Sequence, residues 1–160
     1  MKSTIFLHSL HKKGVLQIVE PSKDLGNAYY EKAQKSLSSS KILLNAGNLE
    51  DSTALSYYAM YHVLQALFFL TGIKCENHKA SILLLQEVYS QDIQSIQEAK
   101  KERIDKQYYT DFSITEKEVK EAIHAAETFI IRIKQILDTI QNADVKRYRE
   151  ILQTILRGSQ

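Results

Sequence analysis

The sequence contains very little cysteine, proline or glycine. Its 160 residues include one cysteine, one proline, five glycines and no tryptophan. A single thiol excludes an internal disulfide framework and suits a reducing compartment, so a cytoplasmic protein is expected. Few residues that interrupt helices are present, and their positions predict a series of helices.

Neither sign of charge dominates the chain. It carries 21 Lys and Arg residues against 19 Asp and Glu, a formal net charge of +2. This charge is too small for a protein that coats nucleic-acid backbones, so any such contact has to be local. Hydrophobic residues make up 44% and charged residues 25%, which excludes disordered and fibrous classes and fits one globular core.

A long hydrophobic run occurs only between residues 54 and 70. Ser56, His62 and Gln65 interrupt it, and it is at the short limit for a membrane span, so it predicts a buried core helix rather than a membrane protein. The first ten residues lack the continuous hydrophobic segment of a secretory signal, so no export is expected.

Glycine and capping residues predict the ends of the helices. Gly47 and Gly72 follow periodic hydrophobic stretches and predict helix ends, giving a first helix from residue 22 or 27 to 46 and a second over 49–71. A loop over 74–77 is expected to end in an Asn77 N-cap before the third helix. A polar fourth helix is expected over about 91–106.

A capping box, in which Thr115 is followed by Glu118, predicts the start of a long helix. The residues that repeat at steps of four and three along it form a hydrophobic stripe: Val119, Ile123, Ala126, Ile130, Ile133, Leu137 and Ile140. A break at 142–144 is expected before a final charged helix that ends near Leu156.

These elements predict an all-α fold, an antiparallel up-and-down bundle of four to five main helices plus a C-terminal helix. We divide the chain into an N-terminal arm (1–20), the helical bundle (21–142) and a C-terminal helical extension (143–160). Within the arm, residues 15–19 are either extended or a docked segment, and the sequence leaves both open.

Four segments in this order resemble the HEPN family, in particular its small archaeal and bacterial proteins. They are YEKA at 30–33, SYYAMYH at 56–62, GIKCENH at 72–78 and RIDKQYY at 103–109, and the similarity extends over about 21–137. The resemblance implies a homodimer that is often the partner of a minimal nucleotidyltransferase in a toxin–antitoxin pair. Active relatives are metal-independent endoribonucleases with an arginine, four to six intervening residues and a histidine.

Arg103 matches the arginine of this motif, but Tyr108, Tyr109 and Thr110 occupy the positions where a histidine is required. Cleavage of RNA needs a base that accepts a proton near neutral pH, and the ordinary pKa of a tyrosine is about 10 against about 6.5 for histidine. Arginine still binds phosphate through its planar guanidinium. An RNA- or nucleotide-associated module without efficient nuclease activity is therefore expected, and an enzyme is the less favoured reading.

Two alternatives stay open. The first is an endoribonuclease toxin in which His78, Tyr108 or Tyr109 replaces the missing histidine. The second is a structural assembly protein whose stripe over 119–140 contacts another chain. The residues assigned to catalysis are Arg103, Tyr108, Tyr109 and His78, and those assigned to RNA or nucleotide binding are Arg103, Lys106, Asn77, His78 and Tyr58.

Each of these assignments has an ordinary structural alternative. Arg103 also fits a surface ion pair, Tyr108 and Tyr109 fit aromatic packing, and His78 fits a local cap interaction. His62 is expected to be a core residue. Single Cys-x-x-His and Glu-x-x-His fragments, at 75–78 and 121–124, are too few for a metal site, so no metal and no cofactor are expected.

Overall fold

The computed structural model describes the backbone of residues 2–108 and 113–158 and the side chains of 2–104 and 113–158. Within these residues the chain is mostly helical, which confirms the all-α prediction. The helices are α1 (Lys2–Lys12), α2 (Lys23–Asn45), α3 (Leu49–Thr71), α4 (His78–Glu87), α5 (Gln94–Tyr108), α6 (Glu116–Thr139) and α7 (Asn142–Arg157). The described part of the chain also contains two short strands, β1 (Leu16–Ile18) and β2 (Ile73–Cys75).

Helix α3 is the central element of the fold. Its hydrophobic residues occur on all sides, and most of its second half is fully buried, as the sequence predicts. The helix ends at Gly72, whose φ of 75° is the left-handed conformation that favours glycine. No helix of the described residues has the length and hydropathy needed to cross a bilayer.

Helices α2 and α3 form an antiparallel pair. Near the connection between them, the buried Ser40 and Ser52 hydroxyls each donate a hydrogen bond to the other residue's carbonyl, at 2.8 and 2.7 Å. At the opposite end, Gly26 lies against the Ala66 carbonyl and Leu70, where an added Cβ would be only 3.3 Å from that oxygen. Small residues therefore allow the two helices to approach closely.

Helix α6 packs along the same core. Its start is the predicted capping box, in which the Glu118 amide donates to the Thr115 hydroxyl and the Thr115 amide donates to Glu118. Val119, Ile123 and Ile130 of the stripe are buried in the chain's own interior. The predicted break lies slightly earlier than expected, at 140–141, because Asp144 accepts from the Gln141 amide and so belongs to the first turn of α7.

The N-terminal residues join the fold through a helix and a strand. Leu7 and Leu10 of α1 are buried, and β1 pairs antiparallel with β2 in the register Leu16–Cys75. The expectation of a loop over 74–77 was wrong for residues 74 and 75, which belong to β2. Arg149 of α7 fastens this region, since its guanidinium donates to the carbonyls of Val19 and Gly72.

Candidate functional site

The candidate site begins with aromatic residues on one side of α3. Tyr57, Tyr58, Tyr61 and His62 are spaced i, i+1, i+4 and i+5, which places them along one side of a helix. Tyr57 is fully buried, whereas the other three are half-buried. Burial raises the pKa of Tyr61 to about 12, and it raises the pKa of Tyr57 further, so both phenols stay protonated at neutral pH.

His78, the first residue of α4, lies against these rings. The Asn77 side chain caps the helix by accepting from the Ala80 amide at 2.9 Å, and this fixes where His78 projects. The imidazole stacks on Tyr61 with ring centroids 3.9 Å apart and an interplanar angle of 4°. Its Nδ1 is 2.7 Å from the Tyr57 hydroxyl.

The charge state of His78 follows from its surroundings. Burial lowers the pKa of His78, and the positive charges of Arg103 and Lys100 lower it further. The Tyr57 hydroxyl has no other hydrogen-bond partner among the residues described, so its proton is satisfied when it donates to Nδ1. The neutral imidazole then carries its own proton on Nε2.

Arg103 of α5 also contacts these rings. We call the group the Arg103 cluster, and it consists of Tyr57, Tyr58, Tyr61, His78 and Arg103. Its guanidinium carbon lies 4.8 Å from the centre of the Tyr58 ring and 5.7 Å from that of Tyr57. The side chain is half-buried, and its Nε is shielded from solvent without a hydrogen-bond partner in the described part of the chain. Cation–π contact with the tyrosines therefore holds a guanidinium that retains hydrogen-bonding capacity.

A second cation lies one turn before Arg103. Lys100 is half-buried, and burial lowers the pKa of its ammonium, with Lys79 and Arg103 lowering it further. Like charges gathered in this way favour an anionic ligand, because the ligand relieves their repulsion. The arrangement provides charge and donors suited to a phosphate group.

The structure brings together three of the residues assigned from the sequence: Arg103, His78 and Tyr58. Asn77 is adjacent, but its side-chain oxygen is used as the α4 cap. Tyr108 ends α5, and its side chain, that of Lys106 and all of Tyr109 lie outside the described residues.

His62 lies on the same side of α3, with its ring centroid 6.1 Å from that of Tyr58. Its Nδ1 is buried and has no hydrogen-bond partner within the residues described. Burial, followed by the charge of Lys32, lowers the pKa of His62 to about 4. The imidazole is therefore neutral under ordinary conditions and packs among aromatic rings.

Sequence reasoning overlooked Tyr57, Tyr61 and Lys100. The spacing of the two tyrosines, one helical turn apart, is a signal that both face one neighbour, but their contact with His78 depends on how α4 packs. Lys100 precedes Arg103 by three residues, which is the spacing of neighbours on a helix face. That spacing was available from the sequence.

The described residues contain no group of three or more His, Cys, Asp or Glu side chains arranged to hold a metal ion. Cys75 is buried, and burial raises the pKa of its thiol. The cluster, together with the neighbouring Lys100, presents a guanidinium, an imidazole, an ammonium and phenol rings.

Comparisons with known proteins agree on one family. The sequence model of the HEPN domain matches residues 27–136. A protein of Methanocaldococcus jannaschii named "Putative toxin MJ0605" is 32% identical over 120 residues, which cover 71% of this chain and 89% of that protein. The UPF0332 protein PH1297 of Pyrococcus horikoshii is 41% identical over 49 residues, 31% of this chain and about a third of that protein.

Proposed function

The chain belongs to the HEPN domain family, and on this premise we propose that it is the RNA-binding, toxin-type member of a toxin–antitoxin pair. Arg103 binds a phosphate of the RNA, and the protein cleaves RNA poorly or not at all. The toxin name of the Methanocaldococcus jannaschii relative supports the first part. We further propose a homodimer as the working form and a minimal nucleotidyltransferase as the partner protein.

The observation that supports the proposal most directly is the cation–π contact of Arg103 with Tyr58, next to His78. The ring holds the guanidinium in place, so little side-chain entropy is lost when a phosphate binds. An imidazole Nε2–H of the cluster and the neighbouring Lys100 ammonium add donors. Tyr58 also offers an aromatic face on which a base can stack.

Binding is favoured over cleavage by the hydrogen bond of His78. In the tautomer whose Nδ1 lone pair accepts from Tyr57, Nε2 carries the proton, so the neutral ring has no lone pair left to remove the 2′-hydroxyl proton. The segment after Arg103 supplies no second histidine before His124. Among the described residues of the cluster, this tautomer therefore offers a donor for bound phosphate and no general base.

RNA binding and cleavage can be measured on the same samples. A fluorescein-labelled oligouridine of about 20 nucleotides is titrated with wild type, Arg103→Ala and Arg147→Ala, with fluorescence anisotropy as the readout. Arg147 is the matched control because it is an exposed arginine of α7 paired with Asp144. Gels of the same RNA incubated in EDTA report cleavage.

We expect Arg103→Ala to weaken binding by about 10- to 150-fold, the loss of one hydrogen-bonded charge contact at roughly 1.5–3 kcal/mol. Arg147→Ala should bind like the wild type. Equal affinity of wild type and Arg103→Ala would reject Arg103 as the phosphate-binding residue. Cleavage that disappears in Arg103→Ala would reject the non-catalytic part of the proposal.

One observation favours a metal-independent endoribonuclease as the second candidate. The lowered pKa of His78 keeps it neutral near Arg103, which is the ionisation state that a general base requires. Proton transfer would then need the other tautomer, with Nε2 unprotonated, or a tyrosine at 108 or 109. Cleavage would rise with pH through the lowered His78 pKa and be lost in His78→Asn, and Arg103→Ala would relieve growth inhibition on overexpression.

A further inference from the structure

A groove lies between α4 and α5, next to the Arg103 cluster. Its volume is about 370 Å³, at the lower end of the roughly 300–1,000 Å³ of ligand pockets. Ile82, Leu83 and Ile104 give it an aliphatic floor, in which Ile82 is buried and the other two are half-buried. Lys79, Lys100 and Lys101 also line it.

The described lining of the groove is positively charged and contains no acidic side chain. None of its three lysines forms an ion pair with a residue that the structure describes, and none of the described lining residues is acidic. Lys79 instead lies over the Phe6 ring at 5.2 Å. The positive charges of these lysines therefore attract carboxylates or phosphates that a ligand supplies.

We propose that this groove binds an acidic amphipathic helix of a partner protein. Such a helix inserts aliphatic side chains from one face into a hydrophobic groove, and its flanking Asp and Glu side chains meet the lysines at the edges. The floor distinguishes this occupant from RNA, because none of the described residues lining the groove is aromatic and bases bind largely by stacking on aromatic rings.

The position of the groove gives the bound helix a regulatory effect. Lys100 is one helical turn before Arg103, and Lys79 follows His78 directly. Carboxylates paired with Lys100 and Lys79 lower the positive potential at Arg103 and compete with RNA phosphate. This second step rests on the proposed RNA-binding function, whereas the docking itself does not.

The test uses a synthetic probe and the full chain. The probe is a fluorescein-labelled helical peptide of about four turns, with leucines at the i, i+4 and i+7 positions of one face and glutamates beside them. One control peptide has the same composition with the leucines distributed around the helix. A second control peptide carries lysines in place of the glutamates.

Two protein variants give the matched comparison. Lys79→Glu/Lys101→Glu reverses two exposed charges of the groove, and Lys117→Glu/Lys120→Glu reverses two exposed charges on α6. We expect the first to weaken probe binding by about tenfold, since two exposed attractions become repulsions, and the second to leave it unchanged. On the wild type, NMR shift changes caused by the probe should cluster at 79–83 and 97–104.

Several outcomes would overturn the docking proposal: no probe binding at millimolar concentration, equal binding of the control peptides, or equal affinities of the two variants. Oligouridine binding that causes the shift changes at Ile82 and Leu83, where the probe causes none, would reassign the groove to RNA. If the probe binds but no RNA binds the wild type, the proposed function fails while the docking site stands. If both bind without competing, the regulatory step alone is rejected.

Discussion

Substitution of Gly72 tests how the N-terminal segment and α7 are held against the bundle. Gly72 ends α3 at a φ of 75°, and its carbonyl accepts from the Val19 amide at 2.8 Å and from Arg149 at 3.1 Å. A Cβ at this position would overlap the Arg149 guanidinium and the Val19 carbonyl oxygen. Gly72→Ala therefore perturbs the backbone of α3, the chain after β1 and the attachment of α7 together.

The loss in the free energy of unfolding expected for Gly72→Ala has two parts. An alanine forced into the left-handed conformation costs about 1–2 kcal/mol. Displacing Arg149 from its carbonyl acceptors costs about 1.5–3 kcal/mol, the range for hydrogen bonds that involve a charged group. Gly72→Ala should thus lower the free energy of unfolding by about 2.5–5 kcal/mol, a large share of the 5–15 kcal/mol typical of a domain.

Urea unfolding followed by far-UV circular dichroism measures the loss, and Gly47→Ala is the matched control. Gly47 has a φ of 78°, yet an added Cβ there meets nothing within 4 Å. The control should lose only the backbone part, about 1–2 kcal/mol. Equal losses in the two variants would refute the conclusion that Arg149 and Val19 crowd Gly72.

Three further predictions follow from individual contacts. Tyr58→Leu should weaken oligouridine binding by about 2- to 30-fold, because the cation–π contact that holds Arg103 contributes about 0.5–2 kcal/mol. An unchanged affinity in the anisotropy titrations would contradict this prediction. The native pKa of His62, about 4, lies below its ordinary 6.5, so the stability of the fold should fall as pH decreases from 6.5 towards 4. His62→Phe should flatten this dependence in thermal melts at several pH values. The same pH dependence in the variant and the wild type would count against it. Thr115→Ala should cost about 0.5–2 kcal/mol in urea unfolding through the lost cap, and an unchanged midpoint would exclude that role.

Local signals in the sequence predicted most of the helices. Gly72, Asn77 and Thr115 mark helix ends because left-handed backbone and side-chain caps are decided within a few residues. The strands β1 and β2 are three residues each and exist through pairing between distant parts of the chain, so no periodicity announces them. Helix α1 buries few side chains, and its hydrophobic pattern is correspondingly weak.

The functional site was likewise predictable only in part from the sequence. Arg103 and His78 were found because they stand in segments that resemble a family. The link between His78 and Tyr57 joins residues 21 apart, and it exists only because α4 packs against α3. The consequence for chemistry, an imidazole whose Nδ1 is occupied, therefore required the three-dimensional arrangement.

The salt dependence of RNA binding tests the central claim most directly. Each phosphate contact of a single strand contributes about 0.7 to the slope of log K against log salt concentration. We predict that Arg103→Gln reduces this slope by about that amount relative to the wild type, whereas Arg147→Gln leaves it unchanged. A slope that is the same in wild type and Arg103→Gln would contradict the assignment of Arg103 as the residue that binds RNA phosphate.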